Sequence, residues 1–273
     1  METLEKIASM IINCGAIEIK DVEGGEDPFV YTTGNRGPGY VMIKGLVGQP
    51  AVLKFLTKKL AHKVIDTTEF DFIEGTATGG MIPGWQLRND VSEILGREIP
   101  FCYLRSKKDG GHGELITGDR NNPLIQKGMR ALVVEELVNY TETTVNAAEE
   151  FRNAGYPVSH AACIFSYDHE ESNTRLKEKG VTLIPLITLP QLLAISEANG
   201  LIHKRLIQSY KHFLRDPLEW QLSRNLAVPS DTAKSAIKKG YSMSRLNEKE
   251  ALERGAPPGK IRDGLVYWIQ NKK

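Results

Sequence analysis

Two adjacent carboxylates, Glu135 and Glu136, close the apolar run Ala131-Leu-Val-Val, and a polar turn with the hydroxyls of Thr141, Thr143 and Thr144 follows. The pattern reads as a buried strand, a loop and the first turn of a helix. Carboxylates at the carboxyl end of a strand can hold sugar hydroxyls or a magnesium ion, and free backbone N–H groups at a helix start can hold a phosphate. A second group of small residues, Thr76-Ala77-Thr78-Gly79-Gly80, follows the strand-like Phe70-Asp-Phe-Ile-Glu74-Gly75. Small side chains let the backbone approach a ligand closely, with consecutive amides turned to an anion. The third group, Arg105-Ser-Lys107-Lys108-Asp-Gly-Gly-His112-Gly, is too charged and too rich in glycine to build a core. It suits a lid over a polyanion, or an ordinary solvated hairpin tip. Arg36 stands in a loop punctuated by Gly34, Pro38 and Gly39 and followed by Tyr40, where a solvated surface charge is its simplest reading taken alone.

These groups need elements to hold them. Apolar spacing predicts helices over Met1 to Ile19, Pro50 to Val64, Trp85 to Leu95, Asn173 to Lys179 and Thr188 to Ala198, with Thr188 as an N-cap. Strands are expected at Ile99 to Leu104, Val158 to Phe165 and Val181 to Leu186. The second of these strands runs into Ser166-Tyr167-Asp168-His169, so a third polar segment joins the same edge. Alternating strands and helices imply an α/β fold, a mostly parallel sheet flanked by helices. Beyond Gly200 the character changes to short helical candidates with a terminal strand from Leu265, a mainly helical extension over 201–273 following a main domain over 1–200. Trp220, Tyr241, Tyr267 and Trp268 are read as packing residues of that extension.

Composition narrows the function. With 41% apolar and 25% charged residues, the 273-residue chain can bury a full core. Its 35 basic residues face 34 acidic ones, which argues against a nucleic-acid-binding face and leaves any anion site local. No run is long enough to span a bilayer, and the amino-terminal segment lacks the pattern of a signal peptide. Three cysteines, Cys14, Cys102 and Cys163, far apart in apolar surroundings, are expected as free thiols of a reducing compartment, so a cytoplasmic protein is expected.

In this order the segments resemble the type I phosphoribosyltransferases, most closely those that use orotate. The likeness rests on Phe29-Val-Tyr-Thr-Thr-Gly34-Asn-Arg36-Gly-Pro38-Gly-Tyr40, on Gly75 to Pro83, on Arg105 to Gly113, on Val133 to Thr144 and on the later Leu-Ile-Thr-Leu-Pro-Gln-Leu-Leu. The resemblance implies transfer of phosphoribose from phosphoribosyl diphosphate to orotate with Mg2+, in a homodimer whose lid enters the neighbouring subunit. It implies that Arg105, Lys107, Lys108 and His112 close on pyrophosphate, and that Thr76, Ala77, Thr78 and Gly79 cradle it. It implies that Glu135 and Glu136 hold the ribose hydroxyls directly or through metal-bound water, and that Thr141, Thr143 and Thr144 meet the 5′-phosphate. Arg36 and Tyr40 would approach substrate, and His169 stands where many relatives have an arginine against the base.

This chain departs from the pattern in its lid, one residue longer, and in its phosphate turn, where Tyr140-Thr141-Glu142-Thr143 replaces Thr-Gly-Gly-Ser. Glu142 either fills the anion site as an internal phosphate mimic or points to solvent as a first-turn acid. Two further functions therefore stand beside the leading one: a non-catalytic nucleotide-binding or regulatory relative, and a phosphoribosyltransferase for another base.

Overall fold

A computed structural model of the chain describes residues 2–105, 115–120, 122–262 and 264–272. It divides into two compact units, one of residues 1–16 and 42–196, the other of 17–41 and 197–273.

The first unit is built on a six-stranded sheet. In chain order its strands are β1 (Phe72–Thr76), β2 (Phe101–Leu104), β3 (Ile116–Thr117), β4 (Ala131–Val138), β5 (His160–Ser166) and β6 (Thr182–Thr188). They lie in the order β6-β5-β4-β1-β2-β3, all neighbours parallel except the β2–β3 pair. The sheet is mostly parallel and flanked by helices, as the alternation in the sequence requires. Helices α1 (Glu2–Asn13), α2 (Pro50–Thr67), α3 (Met81–Leu95), α4 (Glu142–Asn153), α5 (Glu170–Glu178) and α6 (Leu189–Asn199), the last as far as Ser196, belong to it. One face of the sheet packs through Phe72, Ala131 and Val133 onto Val145, Ala148 and Phe151 of α4. Strand order reverses between β1 and β4, and in open α/β sheets ligands bind in the crevice outside the strand carboxyl ends at such a point.

Local chemistry sets several boundaries. Pro50 opens α2, where its missing N–H costs nothing. At the start of α6 the Thr188 hydroxyl accepts from the Gln191 N–H at 3.4 Å while the Gln191 side chain accepts from the Thr188 N–H at 3.0 Å, a reciprocal cap. The amino-terminal helix expected to reach Ile19 ends at Asn13, and Ile17–Ile19 pairs as a strand with Gly39–Val41. Helix α3 starts at Met81, four residues before the expected Trp85, with Pro83 in its first turn, where a backbone donor is dispensable. Cys14, Cys102 and Cys163 are free thiols, the last two buried. No helix among the described residues is long and apolar enough to cross a membrane.

In the second unit, Phe29–Val30 pairs with Arg36–Gly37, and Tyr241–Arg245 pairs antiparallel with Val266–Lys272. Its helices are α7 (Lys204–Arg215), α8 (Pro217–Leu222), α9 (Ser230–Lys238), α10 (Glu248–Glu253) and α11 (Pro258–Ile261). The strand at Tyr241 was not expected from the sequence. Trp220 is fully buried, its indole N–H donating to the Ser209 hydroxyl at 3.1 Å. Tyr241 and Tyr267 are buried as well, in keeping with a packing role, and the side chain of Trp268 lies outside the described residues.

Candidate active site

Strand β4 carries Glu135 and Glu136 to the reversal point, and β1 delivers the loop 76–80 beside them. Glu135 is 5% exposed and its Oε1 has no hydrogen-bond partner. Burial, with the neighbouring charges of Glu136 and Glu74, pushes its carboxyl well above the usual carboxylate range, against a hydrogen bond from Thr143 that lowers it. Glu136 is half-buried, and burial raises it too, opposed in part by Lys44. Two carboxyl groups held this way favour a site where a cation or hydroxyl donors meet them.

The loop from β1 lies hard against β4. Thr76 is buried, Ala77 and Gly79 are half-buried and Thr78 is exposed. The Ala77 N–H donates to the Leu104 carbonyl at 2.9 Å, and the Ala77–Thr78 peptide bond is cis. A Cβ on Gly80 would stand 2.1 Å from the Val134 carbonyl oxygen, and one on Gly79 would stand 1.9 Å from the Glu136 carboxylate. The first collision is with backbone and the second with the far end of a flexible side chain. Gly80→Ala is therefore expected to cost about 2 kcal/mol or more of stability in a denaturant melt. Gly79→Ala should keep a near-native melt, because only the flexible Glu136 side chain has to move aside.

At the head of α4, the Thr141 and Thr144 hydroxyls are buried and have no hydrogen-bond partner, while Thr143 is exposed. Two orphaned hydroxyls beside the free N–H groups of a helix start form a polar cup that suits a phosphate. Glu142 does not fill it. That side chain is 71% exposed and its carboxylate stands 3.5 Å from the Arg175 guanidinium, as a first-turn acid.

His169 follows β5, and its ring lies between those of Tyr140 and Tyr167, with centroids 5.6 Å away and planes 18° apart in each case. Its Nε2 is 3.0 Å from Asn139 Oδ1, and burial lowers its pKa. The structure thus brings Thr76, Ala77, Thr78, Gly79, Glu135, Glu136, Thr141, Thr143, Thr144 and His169 to one edge of the first unit. Arg105 leaves β2 half-buried, its N–H donating to the Leu115 carbonyl at 2.8 Å. Lys107, Lys108 and His112 lie outside the described residues.

Arg36 and Tyr40 belong to the second unit. Tyr40 is 37% exposed, with its ring centroid 5.5 Å from that of Phe29. Arg36, read alone as a solvated loop cation and through the resemblance as a substrate contact, is 2% exposed, and its guanidinium donates to the Arg254 and Gly255 carbonyls.

Glu74 was passed over in the sequence. It is fully buried on β1, with the Thr76 hydroxyl 3.1 Å from Oε1, and burial pushes its pKa up to about 8. An acid directly after the apolar pair Phe72-Ile73 and before Gly75 was the available signal. Among the described residues, no cluster of three or more His, Cys, Asp or Glu could hold a metal by itself.

No family model matches the chain. It is 30% identical over 224 residues to an orotate phosphoribosyltransferase of Listeria monocytogenes, covering 81% of this chain and 99% of that protein. The crystal structure of orotate phosphoribosyltransferase from Aeropyrum pernix aligns with a TM-score of 0.55 at 24% identity, over 72% of this chain and 99% of that one. UMP synthase of Leishmania donovani aligns with a TM-score of 0.61 at 22% identity, over 77% of this chain and 42% of that longer one. Both structures carry the same fold. With the acidic pair and the polar cup at the reversal point of that fold, and with a relative matched along nearly its whole length, the chain belongs to the orotate phosphoribosyltransferase family of the type I phosphoribosyltransferases.

Proposed function

We propose that the chain transfers phosphoribose from phosphoribosyl diphosphate to N1 of orotate, giving orotidine 5′-phosphate and pyrophosphate. The observation that carries this reading is the open phosphate cup: Thr141 and Thr144 keep unpartnered hydroxyls there while Glu142 turns to Arg175.

As the anomeric bond stretches, positive charge grows on the sugar and negative charge on the leaving group. The head of α4 anchors the 5′-phosphate and fixes the sugar. Glu135 and Glu136 accept hydrogen bonds from the ribose hydroxyls, and their negative charge favours the developing sugar cation. The small residues 76–79 let the diphosphate approach the backbone. Arg105, with Lys107, Lys108 and His112, neutralises the leaving pyrophosphate, in a homodimer with the lid donated across subunits. The orphaned Oε1 of Glu135 and the all-oxygen donor set fit Mg2+, which Glu135 and Glu136 would hold indirectly, through water or the ribose hydroxyls, and which would supply positive charge to the diphosphate. His169, sandwiched between two tyrosines, lies near the base. A neutral imidazole there instead of a guanidinium also favours a second reading, transfer to a different base.

Calorimetric titration of phosphoribosyl diphosphate with Mg2+ should show micromolar binding by the unmodified protein. Because Glu142 is solvent-facing, Glu142→Gly should leave that affinity within about threefold and change stability by about 1 kcal/mol. Orotate-dependent pyrophosphate release must follow, with uracil and purine bases run in parallel. Binding that appears only in Glu142→Gly would return the reading to a non-catalytic relative, and release with another base but not orotate would reassign the substrate.

A further inference from the structure

The second unit carries a half-open cavity of about 560 Å³ that the phosphoribosyl transfer above does not use. Arg36, Arg224 and Arg254 line it, together with Asp27, Glu253 and Leu226. All six residues belong to this unit.

Arg36 is the unusual member. Its side chain is almost wholly buried, with Nη1 donating to the Arg254 carbonyl at 3.1 Å and Nη2 to the Gly255 carbonyl, and its Nε–H has no acceptor. Among the described residues, no carboxylate forms an ion pair with it, and Asp27 acts on it only at longer range. Carbonyl dipoles orient a guanidinium without cancelling its charge, and a buried cation lacking a close counter-ion is strongly destabilising. Arg224 is likewise fixed, by the Trp220 carbonyl at 3.0 Å, by Glu23 and by the Trp220 ring 4.2 Å from its guanidinium carbon, and its Nε–H too has no acceptor. Arg254 is exposed, held 4.1 Å over the Tyr267 ring.

With Arg224 already paired with Glu23, the cavity combines the guanidinium charges of Arg36 and Arg254 with two carboxylates that accept from hydroxyl or amino groups and with an aliphatic wall. Its size is within the range of small-molecule sites. We propose that this cavity is a second ligand site, for a phosphomonoester whose body carries hydroxyls and a ring, the chemistry of a nucleoside monophosphate. The phosphate supplies the counter-charge that Arg36 lacks, Asp27 and Glu253 take the hydroxyls, and Leu226 faces the ring. Arg36 then serves this site.

Isothermal titration of uridine and adenosine 5′-monophosphates into the 273-residue protein tests the idea, with inorganic phosphate and uridine as partial ligands. Arg254→Glu reverses a charge at an exposed position, and Leu226→Trp fills the space without a charge change. Both should weaken nucleotide binding tenfold or more, while Glu135→Gln, in the other unit, leaves it unchanged and Arg254→Glu leaves orotate-dependent turnover unchanged. Binding lost in Glu135→Gln but kept in both cavity variants would put the nucleotide in the phosphoribosyl site and overturn the proposal. So would inorganic phosphate binding as tightly as either nucleotide, or no binding at all.

Discussion

Glu135→Gln is expected to lower kcat/KM for phosphoribosyl diphosphate by about two to three orders of magnitude, the scale of losing one preorganised electrostatic group. The same change should raise stability. Glu135 is buried, repelled by Glu136 and Glu74, and has an oxygen without a partner, so its charge is a liability in the ligand-free protein. A neutral amide of equal size removes that burden, and active sites commonly hold such groups against stability. Steady-state kinetics beside a denaturant melt would show the two effects moving in opposite directions. Glu136→Gln should show a smaller loss, because its carboxylate is only half-buried. Wild-type turnover in Glu135→Gln would remove the acidic pair from the mechanism.

The second large effect concerns Glu74 and pH. Its folded-state pKa is raised from 4.5 to about 8. The folded protein thus holds a proton that the unfolded chain releases, and the stability this supplies is complete below pH 4.5 and is lost as pH rises through about 8. Wild type and Glu74→Gln should be nearly equally stable near pH 4.5, whereas by pH 8.5 the variant should be the more stable by on the order of 4 kcal/mol. Comparing the two proteins at each pH isolates this group from acids such as Asp71, whose pKa is lowered by hydrogen bonding to Arg130. Parallel stability curves across that range would show that Glu74 is not held as the neutral acid.

The parts of the site that could be read from sequence were those fixed by local chemistry. An apolar run ending in Glu135-Glu136 and a turn rich in hydroxyls locate a strand end and a helix head whatever surrounds them. Side-chain direction was less legible. Glu142 could equally have filled the cup or left it, and the choice depends on Arg175, 33 residues away in the chain and on a different helix. Glu74 was hidden because a strand covered on both faces has no polar side against which an acid stands out. Arg36 looked solvent-exposed within its glycine-rich loop, and only carbonyls near the end of the chain give it a buried place. The strand at Tyr241–Arg245 was missed because its partner, Val266–Lys272, follows two intervening helices.

The Arg36 anchorage also bears on the order in which the protein is made. Its backbone N–H bonds a side chain 185 residues later and its guanidinium a carbonyl 219 residues later. On the ribosome, residues 17–41 emerge early and must wait, their partners still unsynthesised, while the parallel sheet has all its strands once β6 is out. Chains that stall or are clipped before Gly255 should thus retain a folded sheet and expose the 17–41 segment as a proteolytic target.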